Sequence, residues 1–420
     1  MDWIGDPVFP GFLKRITDLP GQNNGLPNFV VGDILRHKYS KTSAWNADGS
    51  ILQLPVNLKM SNENGDYVLR NLPQPGLFLD GKTYQPIFLK SEPAGTVWAR
   101  WHPLISEWMY YARNTGSDTA EFGIWNVRSD HLIIIRRFTG LQFAELENAE
   151  SNPSNDGRYV GLAFRYQGRS TLTGLVFEVY KDLILAEVDL STAMVDNVSI
   201  SSSGAYFVAN GCWHGPGCTD WKNQDRTMIY KWNGDRTYQA IRYFSEYGRP
   251  SHFDYATDES GEDVVVGVSK CSNLSDQPGY DSSCTAEAGA VIKRRLRDGQ
   301  ITRLTPPVNG NRGGYASHTS TRNINRPGWA YVTYAQTPAE WGPYFDEVVA
   351  VPLDGSQKVQ RLNRLFNTGS DHPDVDYWLQ SQAVPSPDGR QVLFTSNWSD
   401  TLKGASYVAT PCIDGKMLSP

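Results

Sequence analysis

Pro385-Ser386-Pro387-Asp388-Gly389-Arg390-Gln391-Val392-Leu393-Phe394 is the stretch whose reading decides the fold. A short polar run ends in Asp-Gly, and an apolar, β-prone run follows. Asp-Gly is expected to supply the positive backbone dihedrals of a tight hairpin, and Val392-Leu393-Phe394 the next strand. The phrase recurs with turns at Asp48-Gly49, Ser106-Glu107, Asp156-Gly157, Ser203-Gly204, Ser260-Gly261, Pro327-Gly328 and Asp388-Gly389. From the second residue of each turn to the next, the intervals are 58, 50, 47, 57, 67 and 61 residues. The copy at Ser106-Glu107 lacks glycine. Each interval holds enough chain for four short strands, the content of a propeller blade. The expected fold is therefore all-β: a seven-bladed β-propeller of four-stranded antiparallel blades. One domain spans residues 1–420, with blades at about 28–95, 96–140, 141–192, 193–247, 248–305, 314–365 and 376–418. A parallel β-helix would repeat every ~20–30 residues without hairpins, which does not match.

Composition narrows the classes. Repeat folds exceed the usual single-domain size because each unit packs only on its neighbours, and no linker or low-complexity run divides these 420 residues. The net charge is −6 and the basic residues are scattered. No basic stripe marks a nucleic-acid partner, and no apolar run is long enough for a membrane span. Met1-Asp2-Trp3-Ile4-Gly5-Asp6 lacks the basic and apolar regions of a signal peptide, and Met1 reads as a start that replaces a removed leader. Cys212 and Cys218, and Cys271 with Cys284, sit in loops where disulfides would restrain an excursion; Cys412 is left single. The expected location is secreted or periplasmic.

The turns also serve as a ruler. The inner strand of a blade runs just before its turn, so polar residues there face one channel. Counting back six to ten positions gives Lys41, Arg100, Glu150, Asn197, His252 with Asp254, His318 with Arg322, and Gln380 with Gln382. A polar-lined cavity of this kind is the default site, although inner strands are also polar because channels hold water. His252 and His318 each follow a serine, in nearly the same phase of adjacent blades. With Gln380 they form a ligand set for a divalent cation, Mn or Ca. Without metal, the two imidazoles suit general base and general acid. Trp45, Trp101, Trp213, Trp221, Trp341, Tyr315, Tyr377 and Trp378 lie in loops beside polar residues. Tyr377 and Trp378 are the expected rim on which a sugar ring stacks.

The Pro385–Phe394 phrase resembles the repeats of TolB-like propellers. The order of copies carrying His252, His318 and Gln380-Ser381-Gln382 resembles the oligogalacturonate lyase family of seven-bladed propellers. That resemblance implies a metal held by histidines and a glutamine, and β-elimination on uronic acids served by a further His and an Arg. By position, His252 matches the catalytic His, His318 a metal ligand, and Arg249 the Arg. Gln380 and Gln382 stand where the family has metal-binding histidines, a departure from its pattern. The expected function is a secreted lyase cleaving uronic-acid-containing polysaccharides or oligosaccharides, with Lys41, Arg100, Glu150, Asp254, Arg322, Gln382, Tyr377 and Trp378 binding the acidic glycan. Two alternatives are a non-catalytic glycan- or protein-binding propeller, and a glycoside hydrolase whose paired carboxylates would be Glu150 and Asp254.

Overall fold

At each copy of the turn phrase the backbone bends through a residue of positive φ: Gly49, Gly157, Gly204, Gly261, Gly328 and Gly389, with φ of 70° to 83°. In the copy without glycine, Glu107 takes the same conformation at 66°. The paired positive dihedrals expected of Asp-Gly are corrected, because only the glycine is left-handed. Gly389 N donates to Ser386 O at 2.8 Å, while the Asp388 carboxylate accepts from Ser386 Oγ at 2.6 Å and Arg390 N at 3.1 Å. This is a four-residue turn locked by its own serine and aspartate, a common way to close a longer hairpin loop. Ser154, Asp156 and Gly157 repeat the arrangement. The turn also binds the sheet before it. The Tyr331 hydroxyl donates to the Gly389 carbonyl, and Tyr110 does the same for Gly157. A Cβ at Gly389 would strike the Tyr331 hydroxyl, so this position requires glycine on two counts.

The structure is a computed structural model. It describes residues 4–5, 9–63, 66–72, 74–146, 150–191, 195–211, 227–233, 235–244, 250–269, 289–306, 316–334, 344–368, 377–398 and 403–411. The chain forms two compact units, one of residues 1–91 with 304–420 and one of residues 92–303. No helix among the described residues is long and apolar enough to cross a membrane.

The 92–303 unit contains four antiparallel four-stranded sheets, each built from consecutive strands. Their first strands are Thr96–Trp101, Leu141–Phe143, Val195–Ile200 and Ser251–Thr257. The second strands carry the apolar runs that follow each turn, and Asp263–Val268 is buried at every position. Such two-sided burial is what a strand packed between neighbouring sheets requires. Tyr110, Phe122, Phe164, Leu175 and Phe177 form one such layer.

The unit of residues 1–91 and 304–420 has one regular four-stranded sheet, from Ala316–Ser320 to Gln360–Arg364. Its terminal sheet has five strands, in the order Ile4–Gly5, Gly11–Arg15, Ala405–Pro411, Val392–Ser396, Val384–Pro385. The chain start pairs with the chain end, from Gly11 opposite Pro411 to Arg15 opposite Tyr407. The four-stranded expectation is corrected over residues 28–95. There Ile51–Leu54, Gly76–Asp80 and Pro86–Lys90 form one three-stranded sheet, and Ile34–Arg36 pairs with the hairpin Val56–Glu63/Asp66–Asn71 in another. That hairpin is inserted between strands that pair with each other, and it takes Ile34–Arg36 as its own partner.

Candidate functional site

The strand Ile34–Arg36 delivers a polar run, Arg36 to Lys41, into a buried position. Arg36 is completely buried, yet every acceptor it bonds is uncharged. Its Nε donates to His37 O at 3.2 Å, and Nη1 donates to Trp378 O at 2.7 Å and Gln380 O at 3.2 Å. Nη2 donates to Gln382 Oε1. Burial lowers its pKa to about 10, opposed by Tyr377 and Tyr39, so the guanidinium stays charged at neutral pH. A buried cation persists only when its donors are satisfied. Here they are satisfied by the backbone and one amide of the segment 378–382. That segment bends through Gln382, whose φ is 42°.

His37 lies beside Arg36 and is also buried. Its Nε2 is 2.7 Å from the Gln382 carbonyl oxygen. A carbonyl only accepts, so Nε2 carries the proton and Nδ1 is bare. Nδ1 has no hydrogen-bond partner. Burial, reinforced by the Arg36 charge, lowers the His37 pKa to about 3, so the ring is neutral. Tyr39 meets the His318 ring edge-on, with centroids 5.4 Å apart, and Lys41 Nζ lies 5.9 Å from the Tyr39 ring centroid. Lys41, His318, Arg322 and Gln382 are all buried. His318 follows a register break between Ala316 and itself, the kind of bulge that re-aims a side chain at a site. Tyr377 is exposed and stands edge-on to half-buried Trp378 at 5.5 Å, as expected of a rim. Gln380 is half-buried.

The 92–303 unit holds the remaining candidates. His252 is half-buried and has φ 45° at the register break between Ser251 and Asp254. A non-glycine residue held there is strained, a state common at functional sites. Asp254 is fully buried and accepts from Tyr255 N at 2.9 Å. Arg100 is buried, donates to Ser151 O and to Ala99 O, and lies 5.6 Å over the Trp98 ring. Glu150 accepts from Asn197 Nδ2 at 3.0 Å, and Asp196 accepts from the same nitrogen at 3.1 Å. Asn197 passes on through Asn210 to Thr227 and Tyr255.

Two of the aromatics expected in loops, Trp45 and Trp101, are corrected: both are buried, Trp45 bridging to Leu52 and Trp101 ending the strand Thr96–Trp101. Arg249, the five cysteines, Trp213, Trp221, Tyr315 and Trp341 lie outside the described residues. Arg36, His37 and Tyr39 were missed by counting back from the turns. Arg36 and His37 stand thirteen and twelve residues before Gly49, beyond the counted window, and Tyr39 at ten lies at its edge, on the same stretch as Lys41. The signal present in the sequence is the density of polar residues in Arg36-His37-Lys38-Tyr39-Ser40-Lys41.

This cluster does not fit a divalent cation at Gln382. Its amide oxygen, the atom that would ligate, is occupied by the Arg36 guanidinium. Among the described residues, no group of three or more His, Cys, Asp or Glu comes together to hold a metal ion. The region gathers buried positive charge, Arg36 with Lys41 and Arg322.

Two solved structures of oligogalacturonate lyase match this chain. One is described as in complex with manganese, and it aligns with a TM-score of 0.57 at 10% identity, covering 98% of this chain and 96% of that chain. The other, from Vibrio parahaemolyticus, aligns with a TM-score of 0.55 at 10% identity, covering 98% and 96%. The chain thus shares the fold of oligogalacturonate lyase, the family its repeat and site stretches resemble. No protein-family model matches the sequence, and no curated protein matches it.

Proposed function

We propose that the protein is a polysaccharide or oligosaccharide lyase that cleaves uronic-acid-containing glycans by β-elimination. In this reading the protein is a seven-bladed propeller, each blade carrying one copy of the turn just after its inner strand, and it acts outside the cytoplasm, where such polymers lie. The observation that carries the reading is the buried Arg36 charge, bonded only to neutral acceptors and accompanied by Lys41 and His318. The fold shared with oligogalacturonate lyase supports it.

The chemistry follows from the weak acidity of the hydrogen at C5 of a uronate. Fixed positive charge near the carboxylate stabilises the enolate-like anion that forms when the proton leaves. Arg36 and Lys41 supply that field, and Arg322 lies on the same unit. His252, half-buried on the 92–303 unit, is the proposed base by the resemblance, imidazole being suited to general-base work. The C5–H pair becomes the new C4=C5 bond as the C4–O bond breaks, and the departing oxygen takes a proton. His318 positions Tyr39, and Tyr377 with Trp378 forms the rim. Mn or Ca, expected at His252, His318 and Gln380, would supply the same neutralisation of the carboxylate. Arg249 remains a candidate for the carboxylate contact. Disulfides between Cys212 and Cys218, and Cys271 and Cys284, suit the proposed location.

A glycoside hydrolase would need two carboxylates open to the glycosidic bond; Asp254 is fully buried, which disfavours that alternative.

The test is direct. Incubation with polygalacturonate, ulvan or glucuronan is expected to raise ultraviolet absorbance as the conjugated double bond forms, and His252→Ala to abolish the rise. Absence of any rise across these three substrates would remove the lyase reading.

A further inference from the structure

The terminal five-stranded sheet carries a second feature. A groove of about 800 Å³ opens along it, lined in part by Arg15, Leu19, Trp398, Lys403 and Tyr407. That volume lies within the usual range of small-molecule sites. All of these residues belong to one unit of the chain.

Trp398 is the unusual member. Its side chain is 47% exposed, although large aromatics are normally covered. Its backbone is left-handed, with φ 44°, a costly conformation for a bulky residue. The surroundings hold it there. Trp398 N donates to Ser396 Oγ at 3.1 Å, and Ser396 Oγ donates to Phe366 O at 2.9 Å. Asn397 is clamped to Thr368 in both directions. The indole stacks with Phe366 at 4.3 Å and with Tyr407 at 5.4 Å, and Tyr407 stacks with Phe394 at 5.9 Å. A ladder of rings thus holds the indole between Phe366 and Tyr407, and the residue still lines the groove, about half exposed.

The charge on the groove is of one sign. Lys403 is exposed and Arg15 half-buried; the Arg15 guanidinium faces the Tyr407 hydroxyl. No carboxylate is among the described lining residues. A rigid aromatic surface suits the apolar side of a sugar ring, and Arg and Lys suit carboxylates.

We propose that this groove is a second binding site, distinct from the Arg36 cluster, for an acidic oligosaccharide. The part of Trp398 that Phe366 and Tyr407 leave open packs against a sugar ring, and Lys403 and Arg15 take its carboxylates. The site anchors a polyuronate chain and does not depend on the lyase reading.

The probe is the hexamer of galacturonic acid, titrated calorimetrically into the full chain carrying His252→Ala, with galactose hexamer as the neutral comparison. Two binding events are expected in this parent. Lys403→Gln, on an exposed side chain, weakens one of them about tenfold, the size of one charge-assisted bond. Trp398→Ala removes that event. The neutral hexamer binds it at least about tenfold more weakly by the same measure. Unfolding curves identify any loss that comes from the aromatic ladder, and Lys403→Gln then carries the test alone. A titration unchanged by Lys403→Gln, or equal binding of both hexamers, overturns the proposal. Because the readout is binding, the two readings fail separately. A Lys403-sensitive event without any lyase activity keeps the groove and removes the lyase; activity without such an event does the reverse.

Discussion

Arg36 and Arg100 make an instructive pair. Both stand near the start of a sheet, both are buried, and each has a buried histidine close behind it in sequence, His37 and His102. Their partners differ. Arg100 bonds the carbonyls of Ala99 and Ser151 and lies over Trp98. Arg36 reaches residues more than 340 positions away, bonding the carbonyls of Trp378 and Gln380 and the Gln382 amide. His102 spends its Nδ1 lone pair on Leu104 N and Ile105 N, at 3.1 and 3.0 Å. The Nδ1 of His37 has no bonded partner. The Arg100 pair therefore joins a local turn to Ser151 and Tyr180 of the next sheet, and the Arg36 pair ties together the segment that carries the expected site. A buried charge near an inner strand is not functional by itself; what it holds in place decides.

The largest expected effect tests this difference on stability. Arg36→Met leaves three carbonyls and an amide without their donor and is expected to cost about 4 kcal/mol, at about 1 kcal/mol for each buried acceptor left unpaired. Arg100→Met loses the donors to the Ala99 and Ser151 carbonyls, so about 1–3 kcal/mol is expected. Denaturant midpoints of the two variants measure the ratio. Equal losses, or a larger one at Arg100, would break the comparison.

Acid sharpens it next. The His37 pKa is lowered to about 3 by burial and the Arg36 charge, and that of His102 to about 4 by burial. An unfolded histidine titrates near 6.5. Between those values the unfolded chain binds the extra proton, so folding is favoured above pH 6.5 and that stability is lost as pH falls. Asp346 runs the other way. Burial raises its pKa to about 6, so the folded state holds its proton more tightly and gains stability as pH falls below 6. His37→Gln is expected to flatten the fall in denaturant midpoint between pH 6.5 and 4 more than His102→Gln does. The reverse order would mean that the Arg36 charge does not reach His37.

How much of this the sequence carries depends on the range of the forces involved. The turns were legible because their cause is local: Ser386, Asp388 and Gly389 satisfy one another within six residues, and even Glu107 obeys the pattern without glycine. The all-β class followed from the apolar runs after them. The start of the chain was not legible, because Gly11–Arg15 finds its partner in Ala405–Pro411 only after the whole chain has closed. The hairpin Val56–Asn71 escaped for a similar reason, since an inserted pair of strands looks like two more strands of the same blade. Lys41, His318 and Gln382 were found by phase. Arg36 was not, because its importance lies in bonds to residues 378–382 that no spacing shows. Trp398 has no sequence signal of its own: its strained backbone is set by Ser396, Phe366 and Thr368.

The same contrast predicts how lyase activity responds to removing metal. If Arg36 supplies the charge, prolonged EDTA treatment followed by assay in metal-free buffer leaves the rate within about twofold, a change under 0.5 kcal/mol in barrier height. A loss restored by manganese would place a cation in the site despite Arg36, and would demand that Gln382 release the guanidinium. The smallest effect is expected on the other unit. Glu150 and Asp196 share one amide hydrogen-bond donor, Asn197 Nδ2, so Glu150→Gln keeps an acceptor there and removes one of two like charges. Activity on a polyuronate is then expected to hold or rise by about twofold, because a carboxylate near an anionic chain repels it, and a half-exposed pair of like charges is worth under ~1 kcal/mol. A fall of more than about tenfold, over 1.4 kcal/mol, would instead make Glu150 part of the chemistry. Acid–base work would then belong to the acidic unit, and the basic cluster around Arg36 would be left with binding alone.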